Sequence, residues 1–464
     1  MVTVDAQFLE GWLVEQRWFA SKSRDPSAVN LLETLTLHDS EERPLVLALV
    51  EARFATGTHE LYQVLLGARR RAGEGLGPAE GTIYEEGGWE LYDAVGDPEQ
   101  GGQLAGFFDG DRGIDGEHGC VRFHHTEGAP DMGSHPAVRP MGAEQSNSSV
   151  ILDEKYVLKV FRRLEAGDNP ELEMLKYLTE QGFESIARLH GWYDYSGELM
   201  DATLGVVQDY VADATDGWDL ALRAIGAGDD ALLDRLRDLG AVTGDMHRAL
   251  GSSGNDPNFS PDEPSDDALA LLTATIDEQI ERVWVDLPQD DPAVEPIVHR
   301  GQEIRERLQS MSHVGVGGRQ IRHHGDFHLG QTLARPDGRW VILDFEGEPA
   351  RSLRDRRRKR SPLRDVAGML RSLAYAASAS ELLHGKPAAA DWEQRARAAF
   401  LGGYYAHVDP ALLPAGQAAI DKLLTIFELE KAVYELRYEI DNRPKWVKIP
   451  VAGIARLLEE PLRA

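Results

Sequence analysis

Between residues 29 and 66 apolar and polar side chains alternate in short runs, as in PLVLALVEARF (44–54) and HELYQVLLG (59–67). A period of two with turn residues between the runs predicts an antiparallel sheet. DAQFLEGWLVEQRWFA (5–20) precedes it and reads as a short amphipathic helix. Residues 67–143 are rich in Gly, Pro and acid and carry the weakest local signal. VILDEKYVLKVF (150–161) predicts a hairpin around the polar Asp153-Glu154-Lys155 turn. NPELEMLKYLTEQG (169–182) follows as a helix, with Pro170 in its first turn and Gly182 as its stop. ATLGVVQDYVA (202–212) is a strand running into a linker.

After Asp213 the period lengthens to that of helices, at 217–250, 265–285, 294–310, 363–384, 391–406 and 416–441. Two short β-type runs lie within 321–346, and 251–267 is a surface loop by composition. The expected order is an N-terminal β-rich unit (1–92), a hairpin-helix-strand unit (93–207) and a large helical unit (208–464).

At 464 residues the chain is long enough for two to four compact units, with an ordinary globular composition. The formal net charge of -29 opposes binding to an anionic nucleic-acid backbone. Cys120 is the only cysteine, which excludes an internal disulfide framework and a thiolate-rich metal site. The start MVTVDAQFLEGW lacks the basic and apolar regions of a signal peptide, and no run approaches 18 apolar residues. A reducing cytoplasm is the expected location, with no membrane and no nucleic-acid partner.

The chemistry concentrates in HHGDFHLGQTLARPDGRWVILDFEGEP (323–349). Asp326 is followed five residues later by the amide Gln331, and Asp344 ends the apolar run WVILD. Phosphoryl transfer from ATP needs such a set: one carboxylate to orient and deprotonate the attacking hydroxyl, and a carboxylate with an amide to hold Mg²⁺. Protein kinases place an Asp, an Asn five residues on, and a DFG-type Asp on a following strand; here Gln replaces Asn and DFE replaces DFG. Upstream, Lys159 on the second hairpin strand is placed to neutralise the α/β-phosphates, with Glu173 on the next helix as its acid. GAEQSNSS (142–149) is the phosphate loop, in which Ser146, Asn147, Ser148 and Ser149 offer backbone and hydroxyl donors. Gln208 and Tyr210, in QDY, lie where an inter-lobe strand presents its backbone to adenine.

These residues resemble those of bacterial maltokinases, within the aminoglycoside phosphotransferase/choline kinase-like group. The resemblance covers nearly the whole chain, including WLVEQRWFASK (12–22), EQSNSSVI (144–151), LKVFRRLEAGDNPELE (158–173), HGDFHLGQTL (324–333), ILDFEGEP (342–349), RRRKRSPLRDVAGMLRSLAYAA (356–377) and ELEKAVYELRYEIDNRPKWVKIP (428–450). Ser21 and Thr332 depart from the common Gly and Val. The resemblance implies an α+β, bilobal protein-kinase-like fold with an N-terminal β-rich cap and a large helical C-lobe. It further implies transfer of the ATP γ-phosphate to the anomeric hydroxyl of maltose, giving maltose 1-phosphate for α-glucan synthesis. By position Asp326 becomes the base, Gln331 and Asp344 the Mg²⁺ ligands, and Lys159 with Glu173 the phosphate clamp. EKAVYELRY (430–438) becomes the sugar-pocket wall, with Lys431, Tyr434, Glu435 and Tyr438 grouped by helical spacing. A monomer is expected.

Plainer readings stand beside these. Lys431, Tyr434 and Tyr438 also fit an amphipathic packing stripe. His323, His324 and His328 lack the further spaced ligand of a metal site, so His324 is read as a support for its loop, and His247 as a helical histidine facing its neighbours. RDRRRKR (354–360) is read as salt-bridged or substrate-steering. A glucosamine kinase is the alternative enzyme, since Glu435 or Glu439 turned inward would suit an amino sugar; an aminoglycoside phosphotransferase is a third. A pseudokinase would usually lack one of Lys159, Asp326, Gln331 and Asp344, all present here.

Overall fold

The computed structural model describes residues 4–22, 24–70, 81–133, 136–142, 146–252, 256–265, 268–311, 317–349 and 351–459. The chain divides into two compact units, Met1–Lys176 with Ala187–Ala212, and Tyr177–Ile186 with Asp213–Ala464.

The first unit begins with α1 (Ala6–Glu15), capped by the Asp5 side chain on the Gln7 N–H. Strands β1 (Ala28–His38), β2 (Leu45–Arg53) and β3 (His59–Arg70) form the expected antiparallel sheet, extended by β4 (Thr82–Glu86) and β5 (Trp89–Asp93) in the order β1-β2-β3-β5-β4. Eight of the nine β2 residues are buried because both sheet faces are covered. On one face Leu9 and Leu13 of α1, with Trp18 and Phe19, meet Val46, Ala48, Val50 and Val64. On the other, Leu47, Leu49 and Leu65 share one core with Phe123, Val150, Leu158 and Leu204. Each such aliphatic side chain contributes about 1.5–3 kcal/mol when taken fully out of water.

That shared core belongs to a second sheet. After α2 (Pro98–Ala105) come β6 (Arg112–Asp115), β7 (Gly119–His125), β8 (Val138–Pro140), β9 (Ser148–Leu152) and β10 (Tyr156–Val160). The short β11 (Arg163–Leu164) pairs with β3, and α3 (Pro170–Glu180) follows. β12 (Leu189–Gly197) and β13 (Asp201–Asp209) complete the order β6-β7-β12-β13-β10-β9-β8. The β9–β10 turn holds Asp153 and Glu154 at φ 52°, the left-handed geometry that suits the twist of a tight hairpin. The sequence gives no warning of β12, where buried Tyr193 and Tyr195 alternate with half-buried Trp192 and Asp194. Aromatic rings with polar tips blur the two-residue period. Gly191 is required there, since a Cβ would stand 2.7 Å from the His124 carbonyl oxygen.

The second unit is mostly helical. The 217–250 run splits into α4 (Gly217–Ala227) and α5 (Ala231–Leu250), because Gly228 at φ 66° ends α4. Then come α6 (Ala268–Asp286), α7 (Glu295–Val298), α8 (Gly301–Met311), α9 (Leu353–Arg356), α10 (Leu363–His384), α11 (Trp392–His407), α12 (Gln417–Asn442) and α13 (Lys448–Glu459). A three-stranded sheet of β14 (Thr215–Asp216), β15 (Thr332–Ala334) and β16 (Trp340–Ile342) carries the chemistry-bearing hairpin. α10 runs under that hairpin's loop and packs on α12. No described helix is long and apolar enough to cross a membrane.

Candidate functional site

In the first unit, Lys159 lies in β10 opposite Ser149 of β9 and Val206 of β13. Directly paired residues of an antiparallel sheet project to the same face, so Lys159 and Ser149 share one. The Lys159 ammonium meets Glu171 Oε2 at 2.6 Å. The acid found at Lys159 is therefore Glu171, where the spacing argument had named Glu173. Two helix positions differ by about 200° around the axis, and Glu171 is 1% exposed whereas Glu173 is half-buried.

Among the loop residues, the Ser148 hydroxyl is taken by Arg162 Nε at 2.8 Å, and that guanidinium also pairs with Asp93. Ser148 Oγ thus accepts within the fold, and its own O–H remains to donate. Ser149 Oγ is buried with no hydrogen-bond partner among the described residues, Asn147 is buried and Ser146 is exposed. Ala143–Gln145, the middle of the expected loop, lie outside the described residues. Gln208 sits near the end of β13, and the Tyr210 N–H donates to the Lys155 carbonyl at 2.7 Å, closing the hairpin against the strand.

In the second unit, one carboxylate organises the loop after His323. Asp365, in the first turn of α10, accepts the backbone N–H of His324 at 2.8 Å and of Gly325 at 2.9 Å, and meets His247 Nε2 at 3.1 Å. His247 is fully buried, with Nδ1 3.0 Å from the Tyr404 hydroxyl. Its role is larger than that of a helical histidine facing its neighbours. Burial would raise the Asp365 carboxyl, but His323, His247 and His324 outweigh it and hold it well below the usual carboxylate range. Gly325 at φ 86° makes the sharp turn that presents Asp326, and a Cβ there would crowd Gly347 at 3.3 Å. His324 Nδ1 accepts the Asp326 N–H at 3.3 Å, which leaves Nε2 to donate to the Leu343 carbonyl at 2.8 Å. His324 thereby ties the Asp326 loop to the strand end that bears Asp344.

Asp326 Oδ1 receives the Lys431 ammonium at 3.1 Å, and His328 Nε2 stands 3.9 Å from Oδ2. Burial raises the Asp326 carboxyl, but Lys431 and His328 overcome it and hold the group ionised below its ordinary value. For Lys431 burial works against the charge; Asp326, Glu348 and Glu435 outweigh it and push the ammonium up. Gln331 Nε2 donates to Asp344 Oδ2 at 3.0 Å, and Asp344 is left-handed at φ 60°, uncommon for a residue with a Cβ. The Gln331 amide oxygen and the Asp344 carboxylate form a hard-oxygen set of the kind Mg²⁺ takes.

A cavity of about 420 Å³ opens at Asp326, walled among others by Phe327, Glu348, Lys431 and Tyr434. The Tyr434 ring lies 5.0 Å from the Lys431 ammonium, and burial with Glu348 pushes its hydroxyl up to about 12. Glu435 and Tyr438 do not line this cavity. Glu435 is drawn to the buried Arg371, 2.6 Å away, whose charge needs a partner, and Tyr438 lies under Arg443 at 5.2 Å. Glu439 is held by Tyr375 and Arg443, and Glu430 by Arg364 at 2.6 Å. Sequence reasoning missed Asp365, Glu171 and the Arg351, Arg364 and Glu430 group. An acid at the first turn of the 363–384 helix was the visible signal for Asp365.

Residues 137–401 match the phosphotransferase enzyme family, and residues 12–97 match the maltokinase N-terminal cap domain. Two curated relatives are similar. A protein named glucosamine kinase from Mycolicibacterium smegmatis is 30% identical over 69% of this chain and 80% of its own length. One of the same name from Streptacidiphilus jiangxiensis is 29% identical over 73% of this chain and 76% of its own. A solved glucosamine kinase (crystal form B) superposes with a TM-score of 0.72 at 22% identity, covering 99% of this chain and 100% of that one. The structure described as glucosamine kinase with glucosamine, ADP and inorganic phosphate gives 0.69 at 22%, with the same coverage. The fold is thus kinase-like, with a β-rich N-terminal cap and a helical C-terminal region, and the chain belongs to the phosphotransferase enzyme family.

Proposed function

We propose that this protein transfers the γ-phosphoryl group of ATP to the anomeric hydroxyl of a neutral disaccharide, maltose, giving maltose 1-phosphate for α-glucan synthesis. The observation that carries the reading is Asp326, held at 3.1 Å by Lys431 at the wall of a cavity with Tyr434. In this reading the acceptor O–H proton passes to Asp326 as the new O–P bond forms and the bond to ADP breaks. Tyr434 offers a ring face to the sugar and Lys431 donates to its hydroxyls. Gln331 and Asp344 hold Mg²⁺, which when bound neutralises phosphate charge. Lys159 with Glu171 holds the α/β-phosphates, Ser149 adds a hydroxyl on the same face, and the end of β13 at Gln208 and Tyr210 lies against adenine. The divisions 1–92, 93–207 and 208–464 serve as cap, nucleotide part and acceptor part of a cytoplasmic monomer.

Charge supports a neutral acceptor. The α12 acids that could attract an ammonium are engaged, Glu430 by Arg364, Glu435 by Arg371 and Glu439 by Arg443. Lys431 adds a fixed positive charge beside Asp326. The cap match to maltokinases agrees. A glucosamine kinase is the second reading, favoured by the names of both curated relatives and by Glu348 at the cavity wall, although Arg351 pairs with that acid at 2.5 Å. An ADP-release assay over maltose, glucosamine, glucose and an aminoglycoside decides: maltose should give the highest kcat/KM, and glucosamine in that place would establish the second reading.

A further inference from the structure

A second cavity of about 710 Å³ adjoins the first and shares Arg351, Arg364, Glu430 and Phe427 with it. Among the described residues its wall carries five cations, Arg351, Arg358, Lys359, Arg360 and Arg364, against two carboxylates, Asp355 and Glu430. In a chain of net charge -29 this is a local inversion of sign. Four of the cations are paired: Arg364 with Glu430 at 2.6 Å, Arg351 with Glu348 at 2.5 Å, Lys359 with Asp262 at 3.0 Å, and Arg358 with Asp355 at 3.9 Å. Arg360 has no side-chain hydrogen bond or ion pair among the described residues. Burial and the neighbouring Arg364, Arg351 and Arg358 charges push its guanidinium down to about 10, which still leaves it fully charged at neutral pH.

A third, small cavity abuts the second and shares Arg351, Asp355, Arg360 and Arg364 with it. His323 is 8% exposed, and its Nδ1 is buried without a hydrogen-bond partner among the described residues. Burial and adjacent arginines press its imidazole down to about 3, so it is neutral and keeps one N–H to give. It lines that small cavity of about 30 Å³ with Arg351, Arg356, Arg360 and Arg364 and the acids Glu348 and Asp355, room for one or two water-sized groups. Glu430 acts on Arg360 only from a distance, and a guanidinium without a direct ion pair, with more cations than carboxylates around it, is an arrangement that an oxyanion completes.

We infer that the second cavity is an oxyanion site that takes the phosphate of a phosphorylated sugar, with Arg360 as its principal contact. The space is several times what a phosphate needs, and Ser265, Thr275, Gln279 and Gln320 on its wall suit sugar hydroxyls. Because Arg351, Arg364 and Glu430 belong to both cavities, an occupant raises the KM of the acceptor. The inference stands whichever sugar is the acceptor.

Calorimetric titration of the full chain without nucleotide tests it, using glucose 1-phosphate, inorganic phosphate and glucose at low ionic strength. Glucose 1-phosphate should bind saturably, inorganic phosphate more weakly and glucose not at all. Arg360→Gln should raise the Kd of glucose 1-phosphate about tenfold or more, as for loss of a charge-assisted hydrogen bond, and Arg360→Lys should retain part of the affinity. Arg360→Gln should keep the wild-type kcat and unfold at the same or a higher temperature, since it removes a charge its neighbours repel. It should lose the rise in unfolding temperature that glucose 1-phosphate gives the wild type. Undiminished binding by Arg360→Gln, or no saturable binding by the wild type, overturns the site. Equal affinity for inorganic phosphate overturns the sugar part.

Discussion

Asp326 is asked to accept a proton while a cation rests on it. The Lys431 contact keeps the carboxylate ionised and fixes its direction, but it must yield one lone pair to the acceptor hydroxyl. Asp326→Asn keeps the shape and removes the base. Turnover should fall at least about 10²–10⁴-fold while nucleotide affinity stays near wild type; retention of more than about a tenth of the activity would show that another group takes the proton. Lys431→Ala makes a different prediction. With the ammonium gone, burial dominates at Asp326 and its carboxyl moves up, so the acid limb of kcat/KM should move to higher pH. The KM for the acceptor should rise well beyond that for ATP. A pH profile superposable on wild type would mean that Lys431 does not tune the base. Asp326, Gln331 and Asp344 were legible in the sequence because their spacing is set by one loop and one hairpin. Glu171 was not, because choosing between two acids in one helix turn depends on which face is buried.

Among elements, the loop from His323 to Gln331 depends on α10 and α5, which supply Asp365 and His247. This makes it sensitive to acid. An unfolded His323 takes up a proton below about pH 6.5, whereas the folded one stays neutral down to about 3. A lowered histidine pKa means that the unfolded state binds more protons in that window, so stability falls as pH drops through it, by about 1.4 kcal/mol per pH unit at full separation. Asp365, depressed in the fold, contributes stability that is present above the ordinary carboxylate value and lost as pH falls towards its folded one. Urea unfolding between pH 6.5 and 4.5 should therefore show His323→Gln flatter with pH than wild type. Parallel curves would place the acid sensitivity elsewhere. The long helices were legible because their apolar stripes repeat over many turns, as in α10, observed at Leu363–His384 where 363–384 was expected. β12 was not, because Tyr193, Tyr195 and Gly191 are chosen by neighbours on β7 and on the cap sheet rather than by a local period.

Across the first unit, the cap sheet and the sheet that bears Lys159 are two walls of one core. Leu47, Leu49 and Leu65 lie in the same cluster as Val121, Leu158 and Leu204, all at most 1% exposed. One buried amide bolts the walls together: Gln63 Nε2 donates to the carbonyls of Phe161, at 2.7 Å, and Leu204, while Oε1 accepts the Tyr193 hydroxyl at 3.0 Å. Phe161 is two residues from Lys159, so the cap's grip lies close to the proposed phosphate contact. Nothing in HELYQVLLG marks its glutamine as the bolt, since a polar residue in an alternating strand reads as solvent-facing. Gln63→Leu keeps the volume but takes away the partner of the Phe161 carbonyl and of the Tyr193 hydroxyl, while the Leu204 carbonyl keeps the Phe161 N–H at 2.9 Å. The cost is about 1–3 kcal/mol for each group left without a partner. The variant should unfold at a distinctly lower temperature and bind ATP more weakly, with little change in kcat at saturating nucleotide. Removing residues 1–92 is the limiting case: it strips the cover from Val150, Leu158 and Leu204, and the remaining chain should elute as aggregate in size-exclusion chromatography. A monodisperse 93–464 fragment with wild-type ATP affinity would make the cap a separable module and this account of it wrong.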